Sequence, residues 1–99
     1  MYYAIIAEDN PNSLEKRRQV RPEHLKRIQA MVDAGRILVA GPHPAIDGPE
    51  PGSAGFTGSL IIAEFDSLEE ATHWANADPY VDGGIFSRVD VRPFVPVLP

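Results

Sequence analysis

The sequence predicts an α+β fold in which one antiparallel sheet carries two helices on a single face. Four short runs rich in apolar, aromatic and β-branched residues have the composition of strands. Two longer stretches with apolar residues at helical spacing follow the first and the third of these runs. The resulting order, β-α-β-β-α-β, is that of the ferredoxin-like fold. The 99 residues fit one domain, which we expect to span residues 1–99.

The first strand and the start of the first helix have local signals. Tyr2–Ala7 is a short apolar run, which is typical of a buried strand. Asn12 followed by Glu15 resembles a capping box, so we expect a helix that begins near Ser13.

A proline complicates this helix. Pro22 either kinks it or begins a new segment, with Arg21 displaced from helical geometry. Beyond Pro22, apolar residues recur at helical spacing until Gly35, which suits the left-handed position after a helix end. This apolar stripe consists of Leu25, Ile28, Met31 and Val32.

Two strands flank a long loop in the middle of the chain. Arg36–Gly41 and Phe56–Phe65 are mostly apolar, and we predict that both are strands. Between them, Pro42–Gly55 is rich in proline and glycine and is predicted to be a loop. Loops of this length in small domains often act as lids or interface arms.

The second helix begins at a capping box and ends at a proline. Ser67 with Glu70 three residues later predicts its start, and Pro79 predicts its end. One side of this helix carries Leu68, Ala71, Trp74 and Ala75. A glycine pair then marks a turn, and Ile85–Phe94 is the fourth predicted strand.

The fourth strand has two unlike faces. One side is mainly apolar and consists of Ile85, Ser87, Val89 and Val91. The other mixes charges with aromatic rings and consists of Phe86, Arg88, Asp90, Arg92 and Phe94. A sheet face of such mixed character favours a homodimer whose two sheets enclose a partly wet interior.

The composition limits the function classes. The chain has 9 basic and 14 acidic residues, and its net charge of −5 repels phosphate backbones, so nucleic acid is not an expected partner. The aromatic rings beside Arg88 and Arg92 favour nucleic-acid binding only faintly. Without cysteine there is no disulfide or thiolate site. No apolar run approaches the ~20 residues of a membrane span, so we expect no membrane association and a cytoplasmic location.

Basic residues cluster in the first helix. They are Lys16, Arg17, Arg18, Arg21, Lys26 and Arg27. Interleaved with Glu15 and Glu23, they are typical of a solvated face. The alternative is that one arginine, best placed at Arg21, points into a pocket and holds an anionic substrate.

Two proline-containing motifs carry groups suited to proton transfer. His24 lies in Arg21–Leu25, and Asp78 lies in Ala77–Tyr80. A histidine whose second ring nitrogen is held by a carboxylate gains basicity and a fixed tautomer. The structural alternative is a half-buried His24 and an Asp78 that merely ends the second helix. The residues alone leave both open.

Other polar residues are weaker candidates. Ser59 can present its hydroxyl to a cavity, but no Gly-x-Ser-x-Gly elbow surrounds it, so it is not expected to be a nucleophile. Gly58 permits close backbone approach or a bulge. His43 and His73 are expected on the surface. No two histidines have an i, i+4 spacing, so no metal site is expected.

Six motifs resemble the YciI-like (YCII-related) family, in the same order and over nearly the whole chain. They are Leu14–Arg17, Arg21–Leu25, Gly41–Pro42, Ala54–Ser59, Ala77–Val81 and Val91–Phe94. The resemblance implies a dimeric α+β barrel and a His–Asp active site that maps onto His24 and Asp78. One branch of the family removes hydrogen chloride from a chlorinated hydroxyquinol-type ring, and related barrels include muconolactone isomerases and small monooxygenases. Arg92 stands where many relatives carry lysine, which keeps the charge but not the geometry.

These observations together predict a cofactor-free enzyme that performs lyase- or isomerase-type proton transfer on a small anionic or phenolic molecule. His24 is the expected acid or base, and Asp78 orients it and stabilises its charge. Arg21 and Ser59 are expected to bind substrate oxygens. The alternative is a non-catalytic dimeric module that binds a small ligand or a partner, with a structural His24–Asp78 bond. A dyad that opens into a pocket favours the enzyme.

Overall fold

A computed structural model describes all 99 residues of the chain. The strands are β1 (Tyr2–Asp9), β2 (Ile37–Pro44), β3 (Phe56–Glu64) and β4 (Phe86–Phe94), and the helices are α1 (Leu14–Asp33), α2 (Leu68–Asn76) and α3 (Pro79–Asp82). The four strands form one antiparallel sheet in the order β2-β3-β1-β4. The predicted ferredoxin-like α+β fold is confirmed.

Both long helices cover the same face of the sheet. The register of β1 and β3 pairs Ile5 with Ile61, and side chains two residues apart on a strand share a face. On this face one buried cluster contains Tyr3, Ile5, Met31, Ile61, Ala63, Phe65, Ala71 and Ala75. Since Met31 belongs to α1 and Ala71 to α2, the single core joins both helices to the sheet.

α1 is one continuous helix. It runs through Pro22, so the alternative of a new segment is wrong, and Arg21 keeps helical geometry. The predicted capping box is also wrong. Ser13 is the N-cap residue without a side-chain cap bond, and Asn12 lies in the left-handed region with φ 58°. Gly35 follows the helix with φ 71°, as its position predicted.

The predicted apolar stripe of α1 enters the core only in part. Met31 is buried, whereas Leu25 and Val32 are 40% and 47% exposed. The two other buried side chains of α1 are polar, Arg17 and His24. The exposed part of the stripe lines a cleft between α1 and the β2–β3 edge of the sheet.

β2 is longer than predicted. It continues to Pro44, so the first residues of the expected loop belong to the strand and pair with β3. The register shifts between His43 and Pro44. Prolines are compatible with this position because β2 is an edge strand, and one side of its backbone has no neighbouring strand to which it would donate hydrogen bonds.

A register shift in the pairing of β1 and β4 changes the predicted faces of β4. Glu8 pairs with Arg88, whereas Asp9 pairs with Phe86. The irregularity turns Phe86 to the helix face, where its ring centroid lies 5.3 Å from that of Tyr80. The prediction that grouped Phe86 with the charged side is therefore wrong, since strict alternation takes no account of a bulge.

None of the helices has the length and apolar character needed to cross a membrane.

Candidate active site

Asp78 occupies the N-cap position of α3, a short helix that was not predicted. α2 already ends at Asn76, and Pro79 is the first residue of α3 rather than the end of α2. The Asp78 carboxylate accepts a hydrogen bond from the backbone N–H of Tyr80 at 2.9 Å. An Asp-Pro pair is a helix-start signal as well as a stop signal, and the structure follows the start signal.

His24 and Asp78 are in direct contact. The Nδ1 atom of His24 lies 2.8 Å from Oδ1 of Asp78, and the two side chains are only 9% and 4% exposed. An ionised carboxylate only accepts hydrogen bonds, so Nδ1 carries the proton and Nε2 carries the free lone pair.

The second ring nitrogen of His24 faces the cleft. Nε2 forms no hydrogen bond within the chain, and no buried side-chain nitrogen or oxygen lacks a partner, so Nε2 is open to solvent. His24 lines a cleft of about 710 Å³ together with residues of α1, β2 and β3. The arrangement is a base with one nitrogen anchored in the protein and the other available to a ligand.

The guanidinium of Arg27 also holds the Asp78 carboxylate. Arg27 Nη1 donates to Asp78 Oδ2 at 3.0 Å, and Nη2 donates to the carbonyl oxygen of Trp74 at 2.8 Å. The guanidinium also lies 4.5 Å from the centroid of the Trp74 ring. The carboxylate is thus fixed by His24, Arg27 and the N–H of Tyr80, and its position leaves little freedom to the imidazole.

Tyr80 supports the imidazole from its face. The two rings are stacked, with centroids 3.8 Å apart and an angle of 6° between their planes. Tyr80 is 1% exposed, and its hydroxyl donates to the carbonyl oxygen of Arg17 at 3.3 Å. This stacking fixes the orientation of the imidazole.

Arg17 is buried beneath the same cleft, so the prediction of a solvated basic face is wrong for it. Its Nε and Nη2 atoms donate to the Asp9 carboxylate at 2.6 and 3.2 Å, and Nη2 also donates to the carbonyl oxygen of Gly58 at 3.2 Å. Gly58 allows the close backbone approach that was predicted, because a Cβ there would collide with the carbonyl oxygen of Ala7.

Both predicted substrate-binding residues line the cleft. Ser59 is 7% exposed, and its hydroxyl forms no hydrogen bond within the chain. Because every buried polar side-chain atom has a partner, this hydroxyl is open to the cleft. Arg21 is exposed, forms no ion pair and lies about one turn before His24 on α1. His43 and His73 are exposed and lie outside the cleft.

The stability of the protein is expected to fall at high pH because of Tyr80. Burial raises the pKa of Tyr80 above its ordinary value of 10.0, and the charges of Arg17 and Arg21 act in the opposite direction. A folded-state pKa above the unfolded value gives stability that is complete below about pH 10 and is lost as the pH rises through the folded-state pKa. Urea unfolding between pH 8 and pH 12 measures this loss. The free energy of unfolding of Tyr80→Phe should fall less over that range than that of the unchanged protein. An equal fall in both proteins would show that Tyr80 is not the cause.

Comparison with known proteins places the chain in a family. The family model described as the YCII-related domain matches residues 1–95. The chain belongs to the YCII-related family. Within it, the chain is 58% identical over 98 residues to Protein YciI of Escherichia coli O6:H1, with 99% of this chain and 100% of that protein covered. It is 30% identical over 88 residues to the derivative of benzaldehyde biosynthesis cluster protein C of Emericella nidulans, with 84% and 87% covered.

A solved structure has the same fold. It is that of 5-chloro-2-hydroxyhydroquinone dehydrochlorinase (TftG) from Burkholderia phenoliruptrix AC1100 in complex with 2,5-dihydroxybenzoquinone. The TM-score is 0.83, the sequence identity is 27%, and 96% of this chain and 94% of that chain are covered. The chain is therefore similar in fold to a dehydrochlorinase that binds a small hydroxylated quinone.

Proposed function

We propose that this protein is a cofactor-free enzyme that transfers protons on a small hydroxylated, anionic ring in a lyase or isomerase reaction. One observation carries the proposal. The Nδ1 atom of His24 is bound to a buried carboxylate, while Nε2 of the same ring opens into a cleft of about 710 Å³. A His–Asp hydrogen bond with only a structural role does not require the other ring nitrogen of the histidine to face a cavity. The dehydrochlorinase activity of TftG on a ring of this class is further support.

The reaction begins with proton transfer to His24. Nε2 accepts a proton from a substrate hydroxyl or from an acidic ring carbon. The positive charge that forms on the imidazole is stabilised by the Asp78 carboxylate through the Nδ1–H bond. Arg27 keeps the carboxylate in place during this step because it binds the other oxygen.

The proton then leaves His24, and the enzyme returns to its starting state. In an elimination from a chlorinated ring, the proton is delivered to the ring carbon that bears chlorine. A second hydroxyl then loses its proton and the released electron pair expels chloride, so that the ring becomes a quinone and hydrogen chloride is lost overall. In an isomerisation, Nε2 returns the proton to a different carbon of the same molecule. Neither course needs an oxidant or a reductant.

Arg21 and Ser59 are the proposed binding groups for substrate oxygens. Arg21 brings an unpaired positive charge to the wall of the cleft one turn from His24, and it stabilises an oxyanion that forms when the ring is deprotonated. Ser59 lies across the cleft on β3, and its free hydroxyl donates to a second oxygen.

A homodimer through the outer face of the sheet is part of the proposal. The register places Ile6 opposite Leu60 at the centre of this face, with Asp90 beside them on β4. An apolar centre with a charged margin is the usual composition of an interface. Sedimentation equilibrium tests the proposal, with twice the chain mass of 10.8 kDa expected for the dimer and the chain mass itself as the opposing result.

A panel of chlorinated and unchlorinated hydroxyhydroquinones in D₂O tests the enzymatic activity, beginning with 5-chloro-2-hydroxyhydroquinone. Chromatography measures consumption, and NMR measures deuterium incorporation at ring carbons, which reports proton transfer even without net turnover. We expect at least one compound to be consumed or exchanged in a His24-dependent manner. Compounds that bind in the cleft without consumption or exchange would favour the non-catalytic module instead.

A further inference from the structure

We propose that the cleft binds an elongated amphipathic acid, with its anionic group at Arg21, its ring at His24 and an apolar tail along Leu25, Ile28 and Val32. The proposal deepens the proposed function because it names the class of substrate. The residues that indicate this class line the half of the cleft that takes no part in proton transfer.

The cleft has two halves. One half, called the polar half, carries charged side chains beside Leu14 and Phe56, and the other half is apolar. The wall formed by the first part of α1 carries three arginines, Arg17, Arg18 and Arg21. The wall beyond His24 carries Leu25, Ile28 and Val32, and it faces Ile37 and Ala40 of β2. His24 lies at the boundary, so a molecule long enough to fill the cleft extends from His24 in both directions.

The free charge in the polar half is that of Arg21. Arg17 is neutralised by Asp9, and Arg18 lies 3.6 Å from Glu15 in an exposed pair. Arg21 forms no ion pair although the chain has an excess of acidic residues. An anionic group of the ligand supplies the negatively charged partner that Arg21 does not have within the chain.

The apolar half is too long for a single ring. α1 rises about 1.5 Å per residue, so Val32 lies about 12 Å beyond His24 along the helix axis. A cleft of about 710 Å³ is also within the range of about 300–1,000 Å³ found for drug-sized ligands. A one-ring substrate at His24 leaves the distal part unfilled.

The distal residues are apolar surfaces without a cover. Leu25 and Val32 line the cleft and are 40% and 47% exposed. A hydrocarbon tail in this position removes its own surface and theirs from water. Each buried methylene contributes about 0.8 kcal/mol, which corresponds to about fourfold in affinity.

A homologous series of 4-alkylbenzoates, from ethyl to hexyl, tests the proposal by isothermal titration calorimetry. We expect affinity to increase about fourfold per methylene. Arg21→Gln should weaken the benzoates about tenfold and leave the uncharged 4-alkylbenzamides unchanged. The double variant Leu25→Gln, Val32→Thr should reduce the dependence on chain length, and Leu38→Gln, which alters an exposed apolar residue outside the cleft, should not.

The outcomes separate this proposal from the proposed function. Chain-length-dependent binding without turnover of any hydroxylated ring supports the amphipathic site and opposes the enzyme. His24-dependent turnover with an affinity that is independent of chain length overturns the amphipathic site and leaves the enzyme standing. Affinities that are unchanged by both Arg21→Gln and the double variant also overturn the proposal.

Discussion

His24→Gln is expected to lower kcat/KM by about 10²–10⁴-fold for any hydroxylated ring that the protein turns over. Glutamine has similar bulk, so the wall of the cleft is preserved. It has no nitrogen that accepts a proton near neutral pH, so proton transfer is lost. Steady-state kinetics measure the effect, and circular dichroism verifies the fold.

The matched control for this variant is His73→Gln. His73 is an exposed histidine of α2 outside the cleft, so its replacement should leave kcat/KM within about twofold of the unchanged protein. A folded His24→Gln variant with full turnover would show that the chemistry lies with another group.

Asp78→Asn is expected to reduce both activity and stability. The asparagine oxygen still accepts the N–H of Tyr80, so α3 keeps its cap, but the negative charge between His24 and Arg27 is lost. Loss of the carboxylate in a His–Asp pair lowers kcat by as much as about 10⁴-fold in triad enzymes, since the tautomer and charge stabilisation are lost. Removing one partner of a buried ion pair costs about 3–5 kcal/mol, and we expect the lower end because Arg27 is 24% exposed.

Urea unfolding and steady-state kinetics measure the two effects of Asp78→Asn separately. Asp33→Asn, at an exposed residue that accepts a hydrogen bond from Gln29, is the control and should change the free energy of unfolding by less than about 0.5 kcal/mol. If Asp78→Asn unfolds at the same urea concentration as the unchanged protein, the buried pair does not stabilise the fold in the way described.

The parts of the fold that were predicted correctly have signals within a few residues. Ser67 caps α2 by accepting the N–H of Glu70, as its motif indicated. Gly35 follows α1 in the left-handed region, where glycine avoids the cost of a Cβ. In contrast, Phe86 was placed on the wrong face because a bulge depends on the pairing partner and not on the strand alone.

The site was predicted less completely because its polar residues depend on partners far away in the chain. Arg17 and Arg27 have the same sequence context as solvated arginines, and only the positions of Asp9 and Asp78 in the fold show that they are paired and held. The sequence indicated His24 and Asp78 as candidates. Their contact requires α3, whose N-cap brings the carboxylate to the imidazole.

We propose that His24 Nε2 is the reacting group at the wall of the cleft. A crystal structure with bound 2,5-dihydroxybenzoquinone tests it most directly, because this ring is the ligand of the structurally similar TftG. We expect a ring oxygen about 2.6–3.2 Å from Nε2, with the Nδ1–Asp78 bond intact. A ring bound outside the cleft, or one inside it with Nε2 covered by a protein side chain, would show that Nε2 is not the reacting group.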